Sequence, residues 1–282
     1  MSYHISSDRF DNPSLADFLA VLAKYFQAID TDFYVIGAAA RDIVLGGIHG
    51  RRIGRVTRDL DIAIMIPNWH KFEEIATDLC RMPEFTRSQK QKQRFIYKED
   101  LILDIVPFGE IAASDKNIYW PPDGTSAMSV SGFIEMAKQA LSVTIDGKIK
   151  ILVASIPAIL ILKLYAWRDR SRQTDKDAVD IALLIEEYLE INLERAVNEH
   201  YDIYDQDGFT TFVAGAILMG RDINVILSDS VEILAECLQI IEEELTKNEN
   251  SLLINQILEA HRSKKYEEVY TAFAKMAEEL KK

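Results

Sequence analysis

Apolar residues recur along this chain with two different periods, and the change from one to the other divides it. Phe18, Leu19, Leu22, Tyr25 and Phe26 are spaced as one face of a helix. Asn12-Pro13-Ser14 reads as its start, with Pro13 at the first helical position, and the pattern runs to about Ile29. Phe33–Ile36 is a short unbroken apolar run, a first strand. Residues 37–45 predict a short helix ended by Gly46-Gly47. The segment 60–66 is apolar on both faces apart from its acids, as a buried central strand should be; Pro67 stops it. Asn68 then caps a helix from Trp69 to about Arg81. Residues 84–98 mix Phe85, Phe95, Ile96 and Tyr97 with Arg87, Lys90, Lys92, Arg94 and Lys98, a hairpin with a basic turn. Residues 101–107 form a further strand in which Asp104 is the acid. The stretch 108–130 is loop-rich, with a turn at Trp120-Pro121-Pro122-Asp123-Gly124. A helix is predicted over 132–140, and Asp146-Gly147 joins two strands, 141–145 and 148–153, as a two-residue hairpin.

From Ser155 onward the period is helical. Ser155 is expected to cap a helix, with Pro157 just inside it, that runs to about Arg170. A polar stretch, 171–175, leads to a helix over 176–188. Further helical periodicities occupy 209–219, 230–245, 251–260 and 265–280. The fold class is therefore α+β: a mixed β-sheet with flanking helices over 1–152, then a helical bundle over 153–282.

A length of 282 residues, 48% hydrophobic and 27% charged, suits one large or two small domains with a real core. The N-terminal MSYHISSDRFDNPS is polar and lacks the apolar centre of a signal peptide. The longest apolar stretch, 149–165, is broken by Lys150, Ser155, Pro157 and Lys163 and falls short of the ~20 residues a membrane span needs. The expectation is a soluble, cytoplasmic protein with no membrane partner. Cys80 and Cys237 each lie in a helical pattern and are expected to be buried free thiols. None of the five histidines has a metal-ligand spacing with a cysteine, which speaks against structural zinc. The net charge of −13 is uneven: residues 1–110 hold 14 basic and 16 acidic side chains, and residues 111–282 hold 18 and 29. An acidic second half argues against wrapping a long duplex, though not against a small anion or an RNA end.

Asp59 and Asp61 carry the first chemical signal. Residues two apart on a strand face one side with Cα atoms ~6.6 Å apart, so both carboxylates can hold one hard cation or flank two. Asp104 joins them if its strand pairs alongside. Three such acids repel without a cation, so the triad makes most sense with a metal. The alternative, surface charges on an edge strand, fits poorly with apolar Leu60, Ile62, Ala63, Ile64 and Met65. Gly37, between a strand and a helix, lets a phosphate approach backbone N–H groups. Arg41 is placed either to meet an anion or to pair with Asp42 or another acid. Lys163 interrupts an otherwise apolar helix and either snorkels or meets an anion. Asp177 and Asp180 share a helix face. Arg168 or Arg170 with Asp177 or Asp180 would equally tie two helices together.

Gly37, then Asp59-x-Asp61, then Asp104, resembles the nucleotidyltransferase superfamily that includes DNA polymerase β and kanamycin nucleotidyltransferase. That family usually has Gly-Gly or Gly-Ser where this chain has Gly37-Ala38, and the spacing to the acids is long here, which implies an inserted loop at 46–57. The block KLYAWRDRSRQTDKDAVDI, from Lys163, resembles the lysine-then-Lys-Asp-x-x-Asp signature of AbiEii-like nucleotidyltransferases, the toxins of type IV toxin–antitoxin systems. LDIVPFGEI (103–111) and MGRDI (219–223) are similar to bacterial members of that group. The resemblance spans roughly residues 33–223.

The resemblance implies a metal-dependent enzyme that transfers a nucleoside monophosphate from an NTP to an acceptor hydroxyl, releasing pyrophosphate. Asp59, Asp61 and Asp104 would hold Mg²⁺ or Mn²⁺. Gly37 and Ala38, with Arg41, Arg58 and Asp180, would contact the nucleotide. Lys163 and Lys176 would neutralise developing charge, and Asp104 or Asp177 would orient or deprotonate the acceptor. The triphosphate would then lie in a cleft completed by the helical domain. The acceptor implied by related toxins is a tRNA 3′ end, with an antitoxin protein as partner; the basic segments 51–58 and 87–98 would contact phosphates. A small cationic acceptor such as an aminoglycoside fits the acidic second half, and a nucleotide-binding relative without turnover is the third reading.

Overall fold

The computed structural model describes residues 2–51, 59–206 and 208–282. The chain divides into two compact units, Met1–Ser155 and Ile156–Lys282.

The first unit is built on a mixed eight-stranded sheet. Its strands are β1 (Ser2–Ile5), β2 (Phe33–Ile36), β3 (Asp59–Met65), β4 (Phe85–Arg87), β5 (Arg94–Tyr97), β6 (Leu101–Phe108), and, after a separate two-stranded ribbon of β7 (Asn117–Tyr119) and β8 (Ala127–Ser129), β9 (Leu141–Ile145) and β10 (Ile149–Val153). Their order is β1-β9-β10-β2-β3-β6-β5-β4. β3 is thus interior, antiparallel to β2 and parallel to β6. All four residues of β2 are buried, as its unbroken apolar run requires.

Helix α1 (Ser14–Ala28) turns its apolar face onto this sheet: the Phe18 ring stacks on Tyr97 with centroids 4.3 Å apart, and Phe26 meets Phe33 at 5.0 Å. Aromatic contact of this kind adds ~0.5–1.5 kcal/mol to the burial itself. Helix α2 (Gly37–Asp42) continues into a wide π-helical turn, Ile43–Ile48, so Gly46 and Gly47 lie inside the helical winding instead of ending it. Helix α3 (Trp69–Arg81) is capped as expected, Asn68 Oδ1 accepting from the Lys71 N–H at 3.0 Å. The short α4 (Phe133–Lys138) precedes the β9–β10 hairpin. Asp146 and Gly147 both have positive φ there (50° and 69°), the conformation that two-residue hairpin turns favour.

The second unit is helical: α5 (Ile156–Arg170), α6 (Lys176–Ile191), α7 (Leu193–Glu199), α8 (Thr211–Leu227), α9 (Val231–Thr246), α10 (Leu252–Ala260) and α11 (Tyr266–Leu280). No described helix is long and apolar enough to cross a membrane. The MGRDI segment lies in α8 and holds the bundle together. Gly220 lets α8 approach α11, since a Cβ there would sit 3.1 Å from the Met276 carbonyl oxygen. Arg221 Nη1 donates to Asp202 at 2.9 Å, and Asp222 accepts from Arg195 at 2.8 Å and from the Tyr188 hydroxyl.

Several local expectations are corrected. β1, β7, β8 and α7 are absent from the apolar pattern, because β1 is polar and joins the sheet edge by parallel backbone pairing with β9, and the others are short. The Ser155 hydroxyl is buried without a partner among the described residues and does not cap α5. Both cysteines are free, but only Cys237 is buried; Cys80 is exposed.

Candidate active site

Register places the key side chains. Ile36 on β2 lies opposite Asp61 on β3, Asp61 opposite Asp104 on β6, and Asp104 opposite Arg94 on β5. Residues opposite one another across strands point to the same face, with strands ~4.8 Å apart. Asp61, Asp104 and Arg94 therefore form one transverse row, and Asp59 shares their face one pleat away. The alternate residues Leu60, Ile62, Leu103 and Phe95 are buried on the opposite face. That burial fixes the register, since a slip of one residue would turn every carboxylate into the core.

Gly37 closes the row at its other end. It follows Ile36 directly with φ +63°, and a Cβ built on it would lie 2.6 Å from Asp61 Oδ2. The backbone therefore passes against the carboxylate at a distance that a side chain would prevent. Ile36, at the N-terminal end of α2, makes no side-chain cap hydrogen bond. Ala38 follows on the same turn, half-buried. Arg41 is buried, and its Nε donates to Asp42 Oδ1 at 2.8 Å.

Asp104 is held by Arg94 through a two-pronged contact, Nε to Oδ1 at 2.9 Å and Nη2 to Oδ2 at 2.6 Å. Hydrogen bonding to Asp104 raises the guanidinium above its ordinary value against the cost of burial, and the charges of Asp104, Asp59 and Asp61 add to it. The sequence reading assigned Arg94 only to a basic turn. The available signal was the alternation of Arg94 and Ile96 against buried Phe95 and Tyr97, which puts Arg94 on the face away from the core. Among the described residues, no group of three or more His, Cys, Asp or Glu is gathered that could hold a metal. The donor set of carboxylate oxygens beside an open glycine backbone nevertheless suits a hard divalent cation.

The basic turn is mostly engaged internally. Arg87 forms a fork with Glu73 at 2.7 and 2.9 Å, Lys92 reaches Asp123 at 3.2 Å, and Arg94 holds Asp104. Lys90 and Lys98 remain exposed. Arg52, Arg55 and Arg58 of the expected basic loop lie outside the described residues.

In the second unit, Lys163, Asp177 and Asp180 come together. Lys163 Nζ lies 2.9 Å from Asp177 Oδ1 and 2.7 Å from Asp180 Oδ2, and Arg170 forks onto Asp177 at 2.6 and 2.8 Å. Asp177 is fully buried. Burial works against its charge, but the hydrogen bond from Arg170 and the charges of Lys163 and Arg170 outweigh it and hold the carboxyl below the ordinary range. This network ties α5 to α6. Lys176 stands outside it, exposed at the start of α6.

A family model described as "Nucleotidyl transferase AbiEii toxin, Type IV TA system" matches residues 21–281. No curated protein matches the chain. Among solved structures, the solution structure of the antibiotic-resistance factor ANT(2'')-Ia is similar, with 14% identity, a TM-score of 0.35, and coverage of 67% of this chain and 92% of that one.

Proposed function

The chain belongs to the AbiEii nucleotidyltransferase family and is a nucleotidyltransferase, and on that premise we propose that the row Gly37–Asp61–Asp104, with Asp59, is where it transfers a nucleoside monophosphate from an NTP to an acceptor hydroxyl. The observation that carries this reading is the register of Asp61 with Asp104 beside the glycine backbone. Asp59, Asp61 and Asp104 would hold Mg²⁺ or Mn²⁺, which when bound draws charge from the phosphate oxygens. The N–H groups of Gly37 and Ala38 would receive the phosphates. Asp104, kept in one orientation by Arg94, would direct the acceptor hydroxyl. Its oxygen would form the new bond to the α-phosphorus as its proton passes to Asp104, the bond from the α-phosphorus to the α–β bridging oxygen would break, and pyrophosphate would leave with the electron pair. Such chemistry is mainly positioning and charge stabilisation.

The toxin–antitoxin description of the family supports an antitoxin as protein partner, and the acceptor we propose is a tRNA 3′ end. A second reading, a small cationic acceptor, draws support from the acidic second half and from the internal pairing of Arg87, Lys92 and Arg94. Incubation with Mg²⁺, each α-labelled NTP, and either total tRNA or an aminoglycoside panel separates them. Label in tRNA is expected; label only in the small acceptors would replace the first reading with the second, and label in neither would remove both.

A further inference from the structure

A cleft opens on the side of the sheet away from the acid row. Ile36 is in register with Asp61, so Phe33, three residues earlier on β2, points to the opposite face, where it meets Phe26 of α1. Phe26 and Phe33 belong to the wall of a cleft of about 620 Å³ between α1, the start of β2 and the β9–β10 hairpin. That volume lies within the ~300–1,000 Å³ usual for small-molecule sites. Its charged lining is Lys24, Asp30, Asp32, Lys148 and Lys150, all exposed. Both signs share the cleft, yet none of the five makes an ion pair or a side-chain hydrogen bond among the described residues. Elsewhere in this unit neighbouring charges close on each other, as Arg87 does on Glu73 and Lys92 on Asp123. Here cationic donors and carboxylate acceptors stand apart around an apolar wall.

We propose that this cleft is a second ligand site and that its ligand is a phosphorylated sugar. Lysine ammonium groups recognise a phosphate as point charges. Carboxylates only accept hydrogen bonds, so Asp30 and Asp32 call for a group rich in donors and free of negative charge. Sugar hydroxyls are such a group, whereas an ammonium in their place would face three lysines. A ligand with a phosphate at one end and hydroxyls at the other engages both sets at once. Inorganic phosphate alone meets the two carboxylates, and a neutral sugar leaves the lysines without a partner. The sheet separates this cleft from the acid row, so binding here requires neither the row nor a metal. The same chemistry comes from two sources, a free sugar phosphate or a nucleotide of an RNA strand.

The test is isothermal titration calorimetry on the full chain with EDTA present, using ribose 5-phosphate, ribose and inorganic phosphate as probes. Ribose 5-phosphate is expected to saturate one site, with ribose and inorganic phosphate each at least ~10-fold weaker. The double variant Lys24→Gln, Lys148→Gln should bind ribose 5-phosphate at least ~10-fold more weakly, as expected for lost hydrogen bonds to a charged group. Asp32→Asn should weaken it severalfold, and Asp61→Asn should leave it unchanged. Circular dichroism checks that each variant folds, and Asp32→Asn is read alone if the double variant does not. A single-stranded RNA ten-mer that competes more tightly than ribose 5-phosphate assigns the ligand to an RNA strand; weaker competition assigns it to a free sugar phosphate; the site stands in both cases. Absence of saturable binding by ribose 5-phosphate and the RNA overturns the proposal. So does binding of inorganic phosphate as tight as that of ribose 5-phosphate, or binding that survives the cleft variants and is lost in Asp61→Asn, which would place the ligand in the acid row.

Discussion

Replacing Gly37 by alanine perturbs the proposed site with a single methyl group, and its effect can be worked out in two parts. The first is conformational: φ at Gly37 is +63°, and a left-handed backbone costs an L-residue roughly 1–2 kcal/mol. The second is steric. The new Cβ would lie 2.6 Å from Asp61 Oδ2, roughly 0.7–0.9 Å inside the ~3.4 Å at which carbon and oxygen touch. The carboxylate is a side-chain end and yields, so most of this conflict becomes displacement of Asp61. A displacement of about 1 Å at a reacting site costs on the order of 100-fold in rate. G37A should therefore lose ~1–2 kcal/mol of unfolding free energy in urea and about 100-fold in kcat/KM for pyrophosphate release. Gly215 is the control. Its Cβ would clash with the Ile185 carbonyl oxygen, between α8 and α6. G215A should lose ~1–3 kcal/mol of stability with the chemical step unchanged in the folded fraction. Transfer by G37A within threefold of wild type would refute the argument that the glycine exists to admit backbone against Asp61.

Asp177→Asn leaves Lys163 and Arg170 facing a neutral partner in a buried network, and should cost ~3–5 kcal/mol in denaturant unfolding. Because its carboxyl is held below the ordinary range when folded, Asp177 contributes stability that is complete above the unfolded value of ~3.9 and is lost as pH falls through the lower folded value. The wild type should thus weaken more steeply than D177N below about pH 4, as read by acid unfolding; parallel curves would contradict this. Lys176→Ala, at an exposed position, should leave the unfolding midpoint unchanged. It should lower transfer about tenfold or more if that lysine neutralises charge as its sequence block implies.

The strands that hold the acid row were legible because their apolar residues constrain them. Leu60, Ile62 and Ile64 force a buried interior strand, and Asp59 and Asp61 then have one face available. Asp104 was legible as the acid of a second apolar strand, and its pairing with Asp61 followed the expected adjacency. Arg94 was not, because its role comes from a strand partner ten residues away in sequence, and a basic turn has many ways to use a guanidinium. The Lys163 block was legible as chemistry-bearing or structural with no means of choosing, since a buried lysine reads the same whether it meets a phosphate or Asp177 and Asp180. β1 was missed because edge pairing with β9 uses backbone groups, which leave no mark on a polar sequence. α7 was missed because seven residues give too few turns for a period to emerge.

The most direct test of the central claim is a single-turnover assay of α-labelled nucleotide transfer and pyrophosphate release with Mg²⁺ in the wild type, Asp61→Asn and Asp59→Asn, each checked for folding by circular dichroism. Both variants are expected to fold, and each to lose about 10³-fold or more in the chemical step. A folded Asp61→Asn enzyme that releases pyrophosphate at the wild-type rate would show that the chemistry occurs elsewhere in the molecule.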